Sequence, residues 1–258
     1  MTTGQQKVAL VTGAAKRIGR TIALALAERG WDVIVHYGRS AGEAATTVHE
    51  IEQLGRRAWA LQCDLTDEQA VKKLLPDAIA CCGPQSRLAC VVNNASLFEQ
   101  DGPADFSLAV LDEHMHANLA APILLAQALH AATPDGEQSV VINLLDQKLF
   151  NMNPDFLSYT LSKAALQTAT VMLAQALAPK LRVVGVAPGI TLISGDQSQA
   201  SFEKAHKITP LGRSSTPEDI ADAVCYVAGA HAMTGTTLLV DGGQHLIPLQ
   251  RDIMFVAH

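Results

Sequence analysis

Lys7-Val8-Ala9-Leu10-Val11-Thr12 runs directly into Gly13-Ala14-Ala15-Lys16-Arg17-Ile18-Gly19. The first six residues form an apolar run too short for a helix and suited to a strand buried on both faces. Ile18, Ile22, Ala25 and Leu26 then share one helical face, and Gly30 stops that helix. A buried strand, a small-residue turn and a helix N-terminus make an anion site, because backbone N–H groups and the helix dipole point at one place. The small side chains let a phosphate approach the backbone. In an open parallel sheet the first strand-to-helix turn is the usual dinucleotide crevice.

The same alternation continues along the chain. Short apolar runs at 32–36, 58–62, 88–93, 140–145, 182–186 and 237–240 are separated by helical patterns at about 41–54, 67–82, 108–132, 158–178 and 217–229. Thr216-Pro217-Glu218-Asp219 reads as a helix start, with Thr as cap and Pro at the first helical position. This order predicts an α/β fold in a single domain over residues 1–258, a doubly wound and mostly parallel sheet with helices on both faces. Two stretches break the alternation. Residues 190–215 show little pattern of their own and are expected to form a lid over the site. Residues 244–258 are apolar for a terminus: they could join the core, while an exposed apolar tail more often packs on a partner subunit.

Composition removes several function classes. With 48% hydrophobic and 17% charged residues the chain is too apolar for disorder. A net charge of −6 argues against a general nucleic-acid surface. No apolar run reaches the roughly 20 residues that span a bilayer, and the start lacks the basic and apolar regions of a signal peptide. The five cysteines are odd in number, Cys81 and Cys82 are adjacent, and no CxxC occurs, which suits reduced thiols in a cytoplasmic protein. His114 and His116 lie two apart on a predicted helix and do not face each other, so no metal site is expected.

Cofactor choice is read from the end of the second strand, Val35-His36-Tyr37-Gly38-Arg39-Ser40. A site for NAD places a carboxylate there to hold the ribose 2′-hydroxyl. This stretch has none, while Arg39 and Ser40 suit a 2′-phosphate, so NADPH is expected. Farther along, Tyr159-Thr160-Leu161-Ser162-Lys163 puts a phenol and an ammonium on one helical face. A nearby cation lowers a tyrosine's pKa from about 10, which predicts a phenol usable as a proton donor.

Thr12 to Gly19, Asn93-Asn94-Ala95, Tyr159 with Lys163, and Pro188-Gly189 together resemble the short-chain dehydrogenase/reductase superfamily, over about residues 6–243. The resemblance implies a seven-stranded Rossmann sheet and a homotetramer. It places Gly13, Arg17, Ile18, Gly19, His36, Tyr37, Arg39, Ser40 and Ser96 along the cofactor. It puts Asp64 and Leu65 at the adenine, Asn94 and Ala95 near the adenosine and ribose, and Pro188 and Gly189 beside the nicotinamide. Lys163 would hold the nicotinamide ribose, and Asn118 would support a proton-relay water.

Two departures narrow the resemblance. Most of the superfamily has a Ser 13 residues before the Tyr; here that position is Asp146, and no Ser or Thr lies between Ser139 and Ser158. Arg17 stands where the usual turn has its middle Gly. Both changes resemble the pteridine reductase branch, which includes bacterial dihydromonapterin reductases. So do Thr12 to Arg17, His36 to Ser40, and Asn93-Asn94-Ala95-Ser96-Leu97-Phe98. The branch implies NADPH-dependent reduction of a dihydropteridine, dihydromonapterin or dihydrofolate. Asp146, Tyr159, Lys163 and Asn118 would then be catalytic, and Arg17, Ser96, Phe98 and Tyr159 would bind substrate. Phe98 suits stacking on a flat ring, and ordinary packing would also explain it. A carbonyl or 3-oxoacyl reductase that tolerates Asp146, and a silent NADPH-binding protein, stand as alternatives. His245 is read either as part of a polar terminus or as a residue reaching a neighbouring subunit's site.

Overall fold

The computed structural model describes residues 5–193 and 197–256. Its sheet is built from β1 (Gln6–Val11), β2 (Asp32–Tyr37), β3 (Ala58–Gln62), β4 (Ser86–Asn93), β5 (Ser139–Leu144), β6 (Leu181–Pro188) and β7 (Thr237–Val240). All neighbouring strands pair in parallel, in the order β3-β2-β1-β4-β5-β6-β7. Each expected strand is present, shifted at most by two residues at an end. The strand order reverses between β1 and β4, so the connections leave to opposite sides there and open a crevice at the carboxyl ends of the strands.

The helices are α1 (Arg17–Glu28), α2 (Ala41–Gln53), α3 (Glu68–Cys82), α4 (Leu108–Met115), α5 (Ala121–Ala132), α6 (Leu157–Leu177), α7 (Gln199–Lys207), α8 (Pro217–Gly229) and α9 (Ile253–Val256). On one face of the sheet Ile22 and Leu26 of α1 and Ile220 and Val224 of α8 pack on Val11, Val33, Val92 and Ile142. On the other, Leu74 and Leu75 of α3 and Leu125 and Leu129 of α5 pack on Leu10, Ile34 and Val91. Both faces are therefore dry, as the uninterrupted apolar strands require. Thr216 and Asp219 close a capping box at the start of α8, as their spacing predicts.

Three expectations change. The stretch 108–132 is not one regular helix: a π-helical segment, His116–Ala120, separates α4 from α5. Residues 190–215 contain a helix of their own, α7, capped by Ser198, whose hydroxyl accepts from the Ser201 N–H. Its few apolar residues left no clear period in the sequence. The apolar tail docks on its own chain: Ile253 is buried against Ala205 of α7, with Ile190 and Leu249 beside it. Residues 194–196 of the expected lid and 257–258 of the tail lie outside the described residues. Among the described residues no helix is long and apolar enough to cross a membrane.

Gly19 lets α1 approach the sheet. A Cβ at that position would lie 2.3 Å from the Gly13 carbonyl oxygen and 2.5 Å from the Asn94 amide nitrogen. Overpacking of this kind costs about 1–3 kcal/mol. Gly19→Ala is therefore expected to lower the thermal midpoint by several degrees, roughly 2–4 °C per kcal/mol for a domain of this size, as read by calorimetry.

Candidate active site

The switch point is laced by polar groups. The Thr12 hydroxyl, at the end of β1, accepts from the Asn94 and Ala95 N–H groups, both at 3.0 Å. The Asn94 side-chain amide donates back to the Thr12 carbonyl at 2.8 Å. Asn94 and Ala95 are thus fixed beside the Gly13 turn, which takes φ +64°. Thr12 lies in the quoted motif, but sequence reasoning gave it no site role.

His36 lies beneath this turn and is 2% exposed. Its Nδ1 accepts from the Gly13 N–H at 3.0 Å, and its Nε2 is 3.1 Å from the Cys63 carbonyl. That pattern requires the neutral Nε2–H tautomer. Burial lowers its pKa to about 4. His36, expected to lie along the cofactor, supports the turn from below instead. Tyr37 is partly buried, Arg39 is exposed, and Ser40 caps α2 without spending its side chain on a cap hydrogen bond. Asp64 accepts from the Thr66 backbone and hydroxyl, which hold its carboxyl below the usual range, with the Arg39 charge adding to the effect. Leu65 is partly buried next to it.

The first turn of α1 is likewise uncapped: Lys16 precedes it with no side-chain hydrogen bond. Arg17 adopts φ +55°, the left-handed region that favours glycine. The arginine therefore occupies a glycine-like backbone position, and its guanidinium donates to the Ile193 carbonyl at 2.9 Å. Ile18 and Arg17 both line the pocket.

At the other end, Asp146 follows β5, and Tyr159 and Lys163 project from the first turns of α6. The Tyr159 hydroxyl donates to Asp146 Oδ2 at 2.8 Å. Asp146 Oδ1 accepts from the Lys148 N–H, also at 2.8 Å. The Lys163 ammonium donates to the Leu144 carbonyl at 2.7 Å. Burial raises the Asp146 carboxyl above its usual range. Burial, and then the Asp146 charge, push the Tyr159 phenol well above 10. The expectation that Lys163 draws this phenol down is thus corrected. The lysine is turned to a carbonyl, the carboxylate touches the phenol directly, and burial lowers Lys163 itself to about 8.

Phe98 is 39% exposed. It stacks on Phe156 with centroids 4.3 Å apart and meets the Tyr159 ring edge-on at 4.7 Å. Phe156, at φ +55°, stacks in turn on Phe255 at 6.0 Å. Phe156 and Phe255 were missed in the sequence; only the unusual apolarity of the tail hinted at the second. Asn118 spends its amide on the neighbouring loop. Its Oδ1 accepts from the Leu97 N–H at 2.8 Å and from the Ser96 hydroxyl at 3.2 Å, and its Nδ2 donates to the Leu97 carbonyl and to Ser162. Its side chain braces Ser96 and Leu97 and is not among the residues that line the pocket.

These groups surround a cavity of about 220 Å³, walled by Arg17, Asn94, Ser96, Phe98, Asp146, Tyr159 and Lys163. Pro188 and Gly189, at the end of β6, close one side, and Asp252, Ile253 and Met254 of the tail close another. A Cβ on Gly189 would lie 2.5 Å from the Ser214 hydroxyl, so the chain there is tightly seated. His245 Nδ1 pairs with Asp241 at 2.7 Å within its own chain. Among the described residues no cluster of His, Cys, Asp or Glu could hold a metal ion.

The family described as enoyl-(acyl carrier protein) reductase matches residues 13–245. The chain belongs to the short-chain dehydrogenase/reductase superfamily. One solved relative is the FolM alternative dihydrofolate reductase 1 of Brucella canis, crystallised with NADP. It is 37% identical, with a TM-score of 0.86 over 94% of this chain and 95% of that one. An uncharacterized oxidoreductase of Methylorubrum extorquens is 34% identical over 92% of this chain and 97% of its own length. The 3-oxoacyl-[acyl-carrier-protein] reductase FabG of Staphylococcus aureus is 31% identical over 93% and 98%.

Neutral His36 makes the turn pH-sensitive. Its folded pKa, about 4, lies below its unfolded value near 6.5, so the unfolded chain binds the proton first as pH falls. Its contribution is complete above pH 6.5 and is lost between about 6.5 and 4, at about 1.4 kcal/mol per pH unit. Urea midpoints across that window should fall more steeply in the wild type than in His36→Asn, whose amide does not titrate.

Proposed function

We propose that this reductase uses NADPH to reduce a pteridine ring, converting a dihydropteridine such as dihydrobiopterin, dihydromonapterin or dihydrofolate to the tetrahydro form. The observation that carries the reading is the 2.8 Å hydrogen bond from Tyr159 to Asp146, at the position where most of the superfamily has a serine. The Brucella canis relative, an alternative dihydrofolate reductase, points the same way.

The residues fit the cofactor. The approach of Gly19 to Gly13 leaves room at the turn for a pyrophosphate, and the uncapped first turn of α1 presents N–H donors to it. Arg39 and the Ser40 hydroxyl would take the 2′-phosphate, and Asp64 and Leu65 would flank the adenine. Gly13, Asn94 and Ala95 would seat the adenosine half, and Lys163, Pro188 and Gly189 the nicotinamide half. Held there, NADPH would supply the hydride that reduces a ring carbon.

A proton must reach the adjacent ring nitrogen for the C=N bond to become CH–NH. Tyr159 is the donor. A phenol raised above 10 is a weak acid alone, so Asp146 matters: in direct hydrogen-bond contact with the Tyr159 hydroxyl, it is placed to take part in the proton transfer as the phenol gives up its own. Phe98 and Phe156 offer an aromatic surface for a flat ring, while Ser96 and Arg17 offer polar groups to its edge.

The Staphylococcus aureus relative makes 3-oxoacyl reduction the competing reading. NADPH oxidation with dihydrobiopterin, dihydromonapterin, dihydrofolate and a 3-oxoacyl thioester separates the two. Turnover is expected on a dihydropteridine, and turnover on the thioester alone would contradict the proposal. Repeating the series with NADH tests the cofactor. Arg39→Ala should raise the KM for NADPH by roughly 10- to 100-fold, the worth of one charge-assisted hydrogen bond, and leave NADH little changed.

A further inference from the structure

The tail enters the active site through one buried lysine. Lys148 is 3% exposed, and its ammonium lies 2.9 Å from Asp252 on the tail, with Asn153 as a further acceptor. The same ammonium sits 5.5 Å over the Phe156 ring. The backbone N–H of this residue is the donor that holds Asp146 Oδ1. One residue thus ties three things: the catalytic carboxylate, the aromatic stack and the chain segment whose Asp252, Ile253 and Met254 wall the pocket. Arg251 adds a second strap, pairing with Asp155 at 2.9 Å just before Phe156.

We propose that Lys148 and Asp252 are positioning residues: their part-buried ion pair latches the C-terminal segment as a wall of the substrate pocket and couples its docking to the Asp146–Tyr159 pair. The inference rests on the reductase reading of that site and not on the substrate being a pteridine. A buried lysine is costly unless it is paired, so the latch is either closed or loses both its charge partner and its packing. Closing it seats Ile253 against Ala205 and Phe255 against Phe156, completing the stack that begins at Phe98.

The latch also places two opposite charges beside the proton-holding pair. The groups facing Asp146 are Tyr159 and Lys163 from α6, Lys148 from its own turn, Asp252 from the tail and Arg17 across the pocket. Burial dominates the Asp146 carboxyl; of the charges in the latch, Asp252 raises it and Lys148 lowers it. Removing either partner therefore shifts the protonation of the pair in opposite directions, which a purely structural strap would not do.

The test uses the full-length enzyme and three variants, Asp252→Asn, Lys148→Met and the apolar pair Lys148→Met/Asp252→Leu. Docking is read by tryptic cleavage after Arg251, followed by intact mass. Lys148→Met, which leaves the Arg251–Asp252 bond itself unchanged, should be cut markedly faster than wild type, and the apolar pair should be cut more slowly than Lys148→Met, because a matched apolar pair replaces a buried ion pair at little cost. Coupling is read on whichever substrate of the panel is turned over. Asp252→Asn should raise substrate KM about tenfold with the KM for NADPH unchanged. It should also move the alkaline limb of kcat to lower pH, whereas Lys148→Met moves that limb to higher pH. Unchanged cleavage in Lys148→Met, or limbs that stay put or move together, would overturn the proposal. If no dihydropteridine is turned over, the pteridine reading fails, and the cleavage rates and the pH limbs on the thioester still decide the latch.

Discussion

A phenol whose hydrogen points at a half-buried carboxylate is the interaction on which this site depends. Tyr159 and Asp146 are 13 residues apart and come from different elements, the start of α6 and the end of β5. Their 2.8 Å contact requires the strand end, the short 3-10 turn Gln147–Phe150 and the helix start to be held in register. The Lys148 N–H holds the carboxylate from one side, the Lys163–Leu144 bond fixes the helix to the strand end, and Asp101 accepts from Ser158 where α6 begins. The last two of these supports are buried, where a hydrogen bond is electrostatically stronger than in water and a missing partner is costly.

The sheet supplies the frame for that contact. Asn93 donates to Asn143 across β4 and β5 at 2.8 Å, and Asn143 donates to Thr170 of α6 at 2.9 Å. This polar ladder, inside an otherwise apolar core, ties α6 to the two strands that lead to the crevice and to Asp146. His36 and Thr12 do the equivalent work at the other end. Many residues that read as ligands in the sequence therefore split into two groups. Some face the pocket, such as Arg17, Ser96 and Asp146; others, such as His36 and Asn118, shape the loops that face it.

Much of this was legible because it is periodic or local. Apolar runs of four to six residues announced all seven strands, and Thr216-Pro217 announced a helix start. The Asp at position 146 was visible by counting back from Tyr159, and the structure brings the two into contact. What stayed hidden depends on contacts between distant segments. Phe255 meets Phe156 only because the tail folds back, and Asp252 reaches Lys148 across 104 residues of sequence. The direction of the Tyr159 shift was misread because helical spacing says that Lys163 is near, but not that its ammonium turns to Leu144 while Asp146 takes the phenol. The π-helical segment at His116–Ala120 has no local signature, since its residues continue the helical pattern on either side.

The central claim is that Asp146 works on the proton delivered by Tyr159 and not on the cofactor. The most direct measurement is kcat for a dihydropteridine beside the dissociation constant for NADPH in Asp146→Ser. The account predicts a fall in kcat of roughly 10²- to 10⁴-fold, the usual worth of a general acid, with NADPH binding within about twofold of wild type. Equal losses in both, or an unchanged kcat, would contradict it.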